Sequence, residues 1–211
     1  MQRLFEALTE IAPTDANLLI EGETGVGKEL VAEAVHQAST RAAMPLVAFD
    51  CAALSPRFAE LELLGMKDGE GVGESAIERA RGGTLMLDRV DGLPGALQRR
   101  AAEVLAAANV RVIALTSLSL ESEVASGAFD AQLLRGIAAC HVVVPPLRER
   151  LHDMPLLVEE LLLEERALLH ADELPEELWR SFGQQCWRGN VRELRNTLSR
   201  WLVMSRATTR R

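Results

Sequence analysis

Short apolar runs alternate with helical patterns through the first two thirds of the chain. The apolar runs are residues 18–20, 46–49, 84–87, 110–115 and 141–144. Short strands separated by helices are typical of a parallel sheet that is covered by helices on both faces. We therefore predict an α/β fold, with a parallel sheet between helices. Pro145 and Pro146 should end the last strand, because proline cannot donate to a strand ladder.

Beyond Arg150 the pattern is wholly helical. Three helices are predicted there, near residue 153, near residue 175 and over about residues 191–204. Asp153 is placed to cap the first of them, and Pro155 suits its first turn. Its apolar face is predicted to contain Leu156, Leu157, Leu161 and Leu168. The sequence thus predicts an α/β domain over residues 1–147 and a helical subdomain over residues 148–211.

The bulk composition favours a soluble globular chain. Of the 211 residues, 48% are hydrophobic and 26% are charged, and the net charge of −8 argues against a face that grips nucleic acid. No apolar run reaches the length that a bilayer span needs, and the N-terminus lacks the apolar stretch of a secretory signal. We therefore expect a cytoplasmic protein without membrane contact. The scattered Cys51, Cys140 and Cys186 are interpreted as reduced thiols.

Residues 22–28 read G-E-T-G-V-G-K and match the pattern G-x-x-x-x-G-K. A strand pattern precedes this segment and a helical pattern over residues 28–37 follows it. Glycines let successive backbone N–H groups face a phosphate, the helix N-terminus adds a positive dipole end, and Lys28 can reach the outer phosphates. We interpret the segment as a phosphate-binding loop; the alternative is a glycine turn between strand and helix. Glu29 stands where the general pattern has Ser or Thr for magnesium.

Five segments occur in order along the chain: residues 22–32 (GETGVGKELVA), 50–54 (DCAAL), 82–88 (GGTLMLD), 145–150 (PPLRER) and 187–194 (WRGNVREL). Together they resemble the signatures of sigma-54-dependent transcription activators of the NtrC type. The resemblance extends along nearly the whole chain. It implies an AAA+ P-loop NTPase fold with a helical lid, assembly into rings, and ATP hydrolysis coupled to the remodelling of sigma-54 RNA polymerase.

The resemblance and the loop pattern together predict the binding residues. The nucleotide-binding positions are Gly22, Glu23, Thr24, Gly25, Val26, Gly27, Lys28, Glu29, Asp88 and Arg192. ATP or ADP is the expected ligand, with Mg²⁺ held by Asp88 at the end of an apolar strand. Two alternatives stay open: Asp88 could cap the next turn, and Arg192 could be an arginine on a helix surface.

Several positions depart from what the resemblance implies for hydrolysis. Arg89 stands where the water-activating glutamate is expected, and an arginine cannot accept a proton. Asp50 and Ser117 replace the switch and sensor asparagines. In residues 129–137 (FDAQLLRGI), Asp130 and Gly136 stand at the two trans-acting arginines that the resemblance implies in the pattern F-R-x-D-L-x-x-R-L, and Arg135 is displaced by one position. We therefore assign no catalytic residue and expect deficient hydrolysis.

The sigma-54 contact loop is also altered. The family carries G-A-F-T-G-A after E-L-F-G, whereas here ELLG at residues 62–65 leads to GEGVGE at residues 69–74. A second loop is shortened between Leu105 and Val110. Contact with sigma-54 is therefore expected to be weakened, and the expected partners are other domains of a transcription regulator and further copies at the ring surface.

The sequence leaves three functions open. The leading hypothesis is a nucleotide-binding regulatory or scaffolding domain that hydrolyses ATP weakly or not at all. The alternatives are a working sigma-54 activator ATPase that tolerates the substitutions, and an interaction module whose loop no longer binds nucleotide. We also hypothesise that Asp50 and Arg89 form a salt bridge on neighbouring strand ends; independent drift of the two residues is the alternative.

The remaining marked residues are interpreted as structural. His36 and His141 lack partners at metal-ligand spacing, so packing is expected for both. Three tryptophans fall in the helical part and should pack it rather than stack on bases, namely Trp179, Trp187 and Trp201. The basic tail at residues 206–211 is interpreted as a frayed terminus or the start of a linker.

Overall fold

The computed structural model describes residues 1–65, 73–167 and 169–208. The strands are Leu18–Glu21 (β1), Leu46–Asp50 (β2), Thr84–Asp88 (β3), Arg111–Thr116 (β4) and Cys140–Val143 (β5). The α-helices are Gln2–Ile11 (α1), Lys28–Gln37 (α2), Pro56–Leu64 (α3), Ala76–Arg79 (α4), Gly95–Ala107 (α5), Leu120–Ser126 (α6), Ala131–Ile137 (α7), Met154–Glu164 (α8), Glu176–Gly183 (α9) and Asn190–Thr208 (α10). None of the described helices has the length and apolar character of a membrane span.

The five strands form one parallel sheet in the order β2-β3-β4-β1-β5. This arrangement confirms the predicted parallel α/β sheet. Side chains alternate between the two faces of each strand. Leu19, Leu85, Leu87 and Val112 therefore share one face, where they pack in the hydrophobic core with residues of α3, α5 and α7. The intervening side chains, such as Ile20 and Ile113, are fully buried on the opposite face.

Polar residues collect where the parallel strands end. Asp50 is the Cα partner of Asp88 across β2 and β3, and Glu21 is the partner of Thr116 across β1 and β4. Because all five strands run in the same direction, these four residues lie along one edge of the sheet. In open α/β sheets, ligands bind outside the carboxyl ends of the strands. The register thus places these four residues at the carboxyl edge of the sheet, which we call the ligand edge.

The chain divides into two compact units. One unit, the sheet unit, comprises Met1–Gly22 and Lys28–Val144, and the other, the helical unit, comprises Glu23–Gly27 and Pro145–Arg211. The loop segment Glu23–Gly27 thus groups with the helices α8 to α10, although it follows β1 in the chain. The boundary predicted after residue 147 stays a prediction.

The helical unit has its own hydrophobic core. Met154, Val158, Leu161 and Leu162 of α8 pack there with side chains of α9 and α10. Two details of the predicted first helix are wrong. Leu156 is 76% exposed, whereas Leu161 is buried and Leu157 packs against the core as predicted, and Asp153 occupies the N-cap position without a side-chain capping bond. Leu168 lies outside the described residues.

The three tryptophans and His36 take the packing roles that the sequence predicts, whereas the exposed His141 has its Nε2 atom 3.3 Å from the Glu21 Oε2 atom. Trp187 is fully buried, and Trp179 and Trp201 pack against the same core. His36 is buried in the sheet unit, with its Nδ1 atom 2.9 Å from the Thr84 Oγ1 atom. Burial lowers the pKa of His36, which keeps the imidazole neutral.

A buried arginine joins α1 to the sheet. Arg111, at the start of β4, is 1% exposed and donates hydrogen bonds to the carbonyls of Ile11, Ala12 and Ala16 at 3.1, 2.9 and 3.0 Å. The last carbonyls of a helix have no partner within the helix. The guanidinium therefore satisfies the end of α1 and the turn that follows it.

We expect Arg111→Met to lower the free energy of unfolding by about 2–4 kcal/mol, because it leaves several buried carbonyls without a donor. Urea denaturation followed by circular dichroism would measure the change. Arg99→Met is the matched control, since Arg99 is 77% exposed and lies 3.9 Å from Asp130. The control should change the stability by less than about 0.5 kcal/mol. Equal losses in the two variants would contradict the anchoring role.

Candidate nucleotide site

Lys28 lies at the carboxyl ends of the central strands. Its Nζ atom donates to the Gly22 carbonyl at 2.7 Å and to the Ser117 Oγ atom at 3.2 Å. Gly22 follows β1 and Ser117 follows β4, which are neighbours in the sheet. The predicted phosphate-binding ammonium is therefore held at the ligand edge by groups from two strands.

Asp88, the predicted magnesium ligand, is the last residue of β3 and is partly exposed. Its Oδ1 atom accepts a hydrogen bond from the Arg89 backbone N–H at 2.9 Å. A strand-end aspartate that accepts this bond also fits the alternative of a turn cap, so both roles suit the geometry. Among the described residues, no group of three or more acidic, histidine or cysteine side chains is arranged to hold a metal ion.

Asp50 and Arg89 form the hypothesised ion pair. The Arg89 Nη2 atom donates to the Asp50 Oδ2 atom, while the Ala52 backbone N–H donates to the Asp50 Oδ1 atom at 3.0 Å. The Arg89 guanidinium and these backbone donors hold the pKa of Asp50 below its usual value. The Arg89 side chain is 51% exposed and the Asp50 side chain 38% exposed, so solvent screens the pair.

The segment after β3 has a constrained backbone. Arg89 has φ +50° and ψ +51°, a left-handed conformation that non-glycine residues rarely adopt. A short 3-10 turn follows over Val90–Gly92. The Thr116 hydroxyl at the end of β4 donates to the Asp91 Oδ1 atom of this turn at 2.7 Å. These contacts fix the backbone from which the Arg89 side chain projects.

Asp130 stands where the resemblance implies a trans-acting arginine, and its side chain has a structural role. The Asp130 side chain caps α7, since its Oδ1 atom accepts from the backbone N–H groups of Gln132 and Leu133 at 2.8 and 2.9 Å. An aspartate is a favourable N-cap, whereas an arginine has no acceptor for these N–H groups. Arg135 of the same helix is exposed.

Two glycines give the loop after β1 its conformation. Gly25 has φ +80° and Gly27 has φ +99°, so a side chain at either position would be strained. At Gly25 there is also no room, because a Cβ atom would lie 2.4 Å from the Gly189 carbonyl oxygen. Backbone that alternates in this way can direct its N–H groups into an anion-binding concavity.

Side chains of the helical unit bind the start of this loop. Arg148 donates to both carboxylate oxygens of Glu23, at 2.8 and 2.6 Å, and the Asn190 Nδ2 atom donates to Glu23 Oε2 at 3.1 Å. The Arg148 contact, with help from Asn190, lowers the pKa of Glu23 to about 2. Glu23 is therefore an ionised anchor for the loop.

Within the part of the chain that the structure describes, two predicted positions make no side-chain hydrogen bond or ion pair. Glu29 is exposed in the first turn of α2, where its charge favours the helix dipole. The Arg192 side chain is exposed, although its backbone N–H lies 3.4 Å from the Gly25 carbonyl. Of the predicted contact loop, residues 69–72 lie outside the described residues. Three residues separate the end of α5 from the start of β4, in keeping with the short second loop that the sequence predicts.

Sequence reasoning quoted the segments that contain Arg148, Arg150 and Asn190 but gave these residues no role. The structure places all three against the loop: Arg150 donates to the Val26 carbonyl at 2.7 Å, and Asn190 also donates to the Thr24 carbonyl at 3.1 Å. Their occurrence in two signature segments was the available signal. Which polar atoms they meet could be read only from the tertiary structure.

The comparisons with known proteins agree with this geometry. A family model described as the sigma-54 interaction domain matches residues 1–143. The chain belongs to this family. A second model, described as an AAA+ ATPase lid domain, matches residues 148–210. The predicted resemblance to sigma-54-dependent regulators and the AAA+ P-loop fold are thereby confirmed.

Full-length regulators are among the relatives. The nitrogen assimilation regulatory protein NtrX of Azorhizobium caulinodans is 35% identical in an alignment of 222 residues including gaps. The alignment covers 97% of this chain and 49% of NtrX. The anaerobic nitric oxide reductase transcription regulator NorR of Aliivibrio fischeri is 40% identical over 228 residues, which cover 98% of this chain and 44% of NorR. The chain thus spans about half the length of the curated relatives it matches.

Solved structures of NtrX from Brucella abortus have the same fold. The complex with ADP has a TM-score of 0.87 at 32% identity and covers 97% of this chain and 50% of that chain. The complex with ATP has the same TM-score and identity, and covers 98% and 51%. The family match gives no support to the expectation that sigma-54 contact is weakened, and that expectation stays a prediction.

We expect a weak coupling between Asp50 and Arg89 in a double-mutant cycle with Asp50→Asn and Arg89→Gln. Because both side chains are more than one third exposed, the coupling free energy should be about 0.2–1 kcal/mol. Chemical denaturation of the four proteins would measure it. Strictly additive effects would contradict a pair that persists in solution.

The Glu23 carboxyl should titrate at about pH 2. A lowered pKa means that ionised Glu23 stabilises the folded state above its ordinary pKa of 4.5, and that this contribution is lost as the pH falls from 4.5 towards 2. Arg148→Gln should move the titration upwards, as NMR of the labelled carboxyl would show. Arg180→Gln, which removes an exposed pair with Glu176, is the control and should leave Glu23 unchanged.

Proposed function

We propose that the chain is a nucleotide-binding AAA+ regulatory domain of a transcription regulator that binds ATP or ADP but hydrolyses ATP poorly. The observation that carries the proposal is the ion pair between Arg89 and Asp50 at the ligand edge of the sheet. The binding loop keeps every feature that phosphate recognition needs, whereas the position expected to activate water carries a cation bound to a carboxylate.

The residues present fit a nucleotide. Gly25 and Gly27 have the left-handed backbone that lets N–H groups face a phosphate, and no larger residue could replace Gly25. Lys28 supplies an ammonium at the carboxyl ends of β1 and β4. The NtrX structures of Brucella abortus are complexes with ADP and ATP, which supports the same ligands here. The proposed contacts are residues 22–29, with Asp88 and Arg192.

The carboxylate of Asp88 also fits Mg²⁺. This ion prefers oxygen ligands, keeps several waters and is commonly held by one or two carboxylates together with substrate phosphates. Asp88 would supply the carboxylate, and Glu29 stands where the general loop pattern has a hydroxyl. The bound ion would neutralise charge on the phosphates.

Poor hydrolysis follows from the chemistry of Arg89. A guanidinium stays protonated and has no acceptor, so it cannot take a proton from an attacking water. The nearby carboxylate, Asp50, already accepts from Arg89 and from the Ala52 backbone N–H. The chain also lacks the two arginines that would act on a neighbouring subunit, and loss of such a finger typically costs about 10³-fold or more in rate.

The partners belong to the same proposal. The relatives NtrX and NorR are regulators about twice as long as this chain, so further domains of such a regulator are the first proposed partners. Sigma-54 is the partner that the family description names. Self-association at the AAA+ ring surface is proposed as well, in keeping with a scaffolding role.

Calorimetry with ATP and with ADP should show saturable binding, and Lys28→Ala should weaken it at least about tenfold because it removes the ammonium from the phosphates. The exposed Arg200→Ala is a matched loss of positive charge in α10 and should leave the affinity unchanged. Equal affinities of the parent and Lys28→Ala would reject the loop as the binding site.

Phosphate release from the same samples should stay near background. A turnover within the usual enzyme range of about 1–10³ s⁻¹ would favour a working activator ATPase instead. The double variant Asp50→Asn with Arg89→Glu restores the family residues at both positions. It should regain little activity, because residues 129–137 still lack the trans-acting arginines.

A further inference from the structure

We propose that Asn190 and Arg150 are positioning residues of the phosphate-binding loop, which set the direction that its peptide groups face. The inference rests on the proposed nucleotide binding and adds to it. It assigns a function to two residues of the helical unit that touch the loop backbone. Neither residue needs to contact the nucleotide for this role.

Three consecutive carbonyls of the loop are bound by groups of the helical unit. The Thr24 carbonyl accepts from Asn190 Nδ2 at 3.1 Å, and the Val26 carbonyl accepts from Arg150 Nη2 at 2.7 Å. The Gly25 carbonyl between them accepts from the Val191 backbone N–H at 2.9 Å, at the N-terminus of α10. The helical unit therefore contacts each peptide group of this stretch.

Because each peptide group is planar, the bonds to the carbonyls also fix the direction of the N–H groups. In a trans peptide, the carbonyl of one residue and the N–H of the next face opposite sides, and the peptide bonds of this loop are trans. Binding the carbonyls of residues 24–26 therefore directs the N–H groups of Gly25, Val26 and Gly27 away from the helical groups. The Val26 N–H makes a long turn bond of 3.4 Å to the Glu23 carbonyl. Such a row of N–H groups is the element that binds a phosphate.

Asn190 is suited to this task by its backbone and by its side chain. It is fully buried and has φ +53°, a left-handed conformation that asparagine tolerates better than most residues. Its Nδ2 atom donates to Glu23 and Thr24, and its Oδ1 atom accepts from the Leu147 N–H at 2.8 Å. The Asn190 amide thus joins the start of α10 both to the loop and to the segment at Leu147.

Burial of the Arg150 guanidinium costs free energy, so packing alone does not explain this residue. It is 5% exposed, burial lowers its pKa, and its buried Nε atom has no hydrogen-bond partner in the described part of the chain. A buried charge that is incompletely paired destabilises a fold relative to a well-packed apolar side chain. Asp153 offsets part of its charge, and the hydrogen bond to the Val26 carbonyl connects the guanidinium to the loop.

The test compares three variants with the parent chain. Asn190→Gly removes the amide while permitting the left-handed backbone, and Arg150→Met removes the guanidinium while keeping an apolar stem. Leu198→Ala is the matched control, since Leu198 is a fully buried residue of the same core. For each protein, calorimetry measures ADP affinity, competition measures pyrophosphate affinity, and circular dichroism measures Tm without ligand.

Asn190→Gly and Arg150→Met should each weaken ADP and pyrophosphate by a similar factor of about ten, because misplaced N–H groups act on the phosphates alone. Arg150→Lys, which keeps a donor, should recover part of the loss. Leu198→Ala should lower Tm without changing either affinity. If Asn190→Gly does not fold, the Arg150 pair of variants makes the same comparison.

Two results would overturn the positioning role. One is unchanged ADP affinity in Asn190→Gly and Arg150→Met while the parent binds, and the other is an equal loss in Leu198→Ala, which would mean that any loosening of the core acts alike. A parent chain that binds neither ADP nor pyrophosphate would instead overturn the proposed function, and the inference with it.

Discussion

The common direction of the five strands is the constraint on which the rest of the site depends. Parallel pairing brings every strand end to one edge, so Asp50, Asp88, Thr116 and Lys28 meet although they are far apart in sequence. A buried sheet leaves few places for polar groups, and the strand ends are the places where the pattern changes from apolar to polar. The polar residues of the proposed nucleotide site therefore lie at the carboxyl ends of the strands.

The altered residues at this edge form a consistent set. Arg89 and Asp50 satisfy one another, and Asp130 caps the helix that begins where an arginine finger is missing. In the proposed function, each substitution replaces a group expected to act on water or on transferred phosphate, and a local interaction is found in its place. Because the Asp50–Arg89 pair is half-exposed, its contribution to stability is small, and its main consequence is chemical.

Much of the fold could be predicted because the spacing of apolar residues along the chain indicates its strands and helices. Five apolar runs gave five strands, and Lys28–Gln37 is a helix with the predicted bounds. Leu156 was wrongly assigned to the buried face of α8 because apolar residues at 154, 156–158 and 161–163 surround the helix: Leu156 is exposed, whereas Met154 is buried. The Asp50–Arg89 pair was predictable since neighbouring parallel strands place their last residues side by side.

Asn190 and Arg150 were beyond sequence reasoning because their bonds are to backbone carbonyls more than 120 residues away. Side-chain type predicts what a residue can bind, but a carbonyl is present at every position, so only the fold selects one. These loop-binding residues belong to the helical unit, whereas Asp50, Arg89 and Ser117 belong to the sheet unit. The substitutions that we propose to impair hydrolysis therefore lie in a different unit from the contacts that shape the loop. That separation is the physical basis on which the proposal combines nucleotide binding with poor hydrolysis.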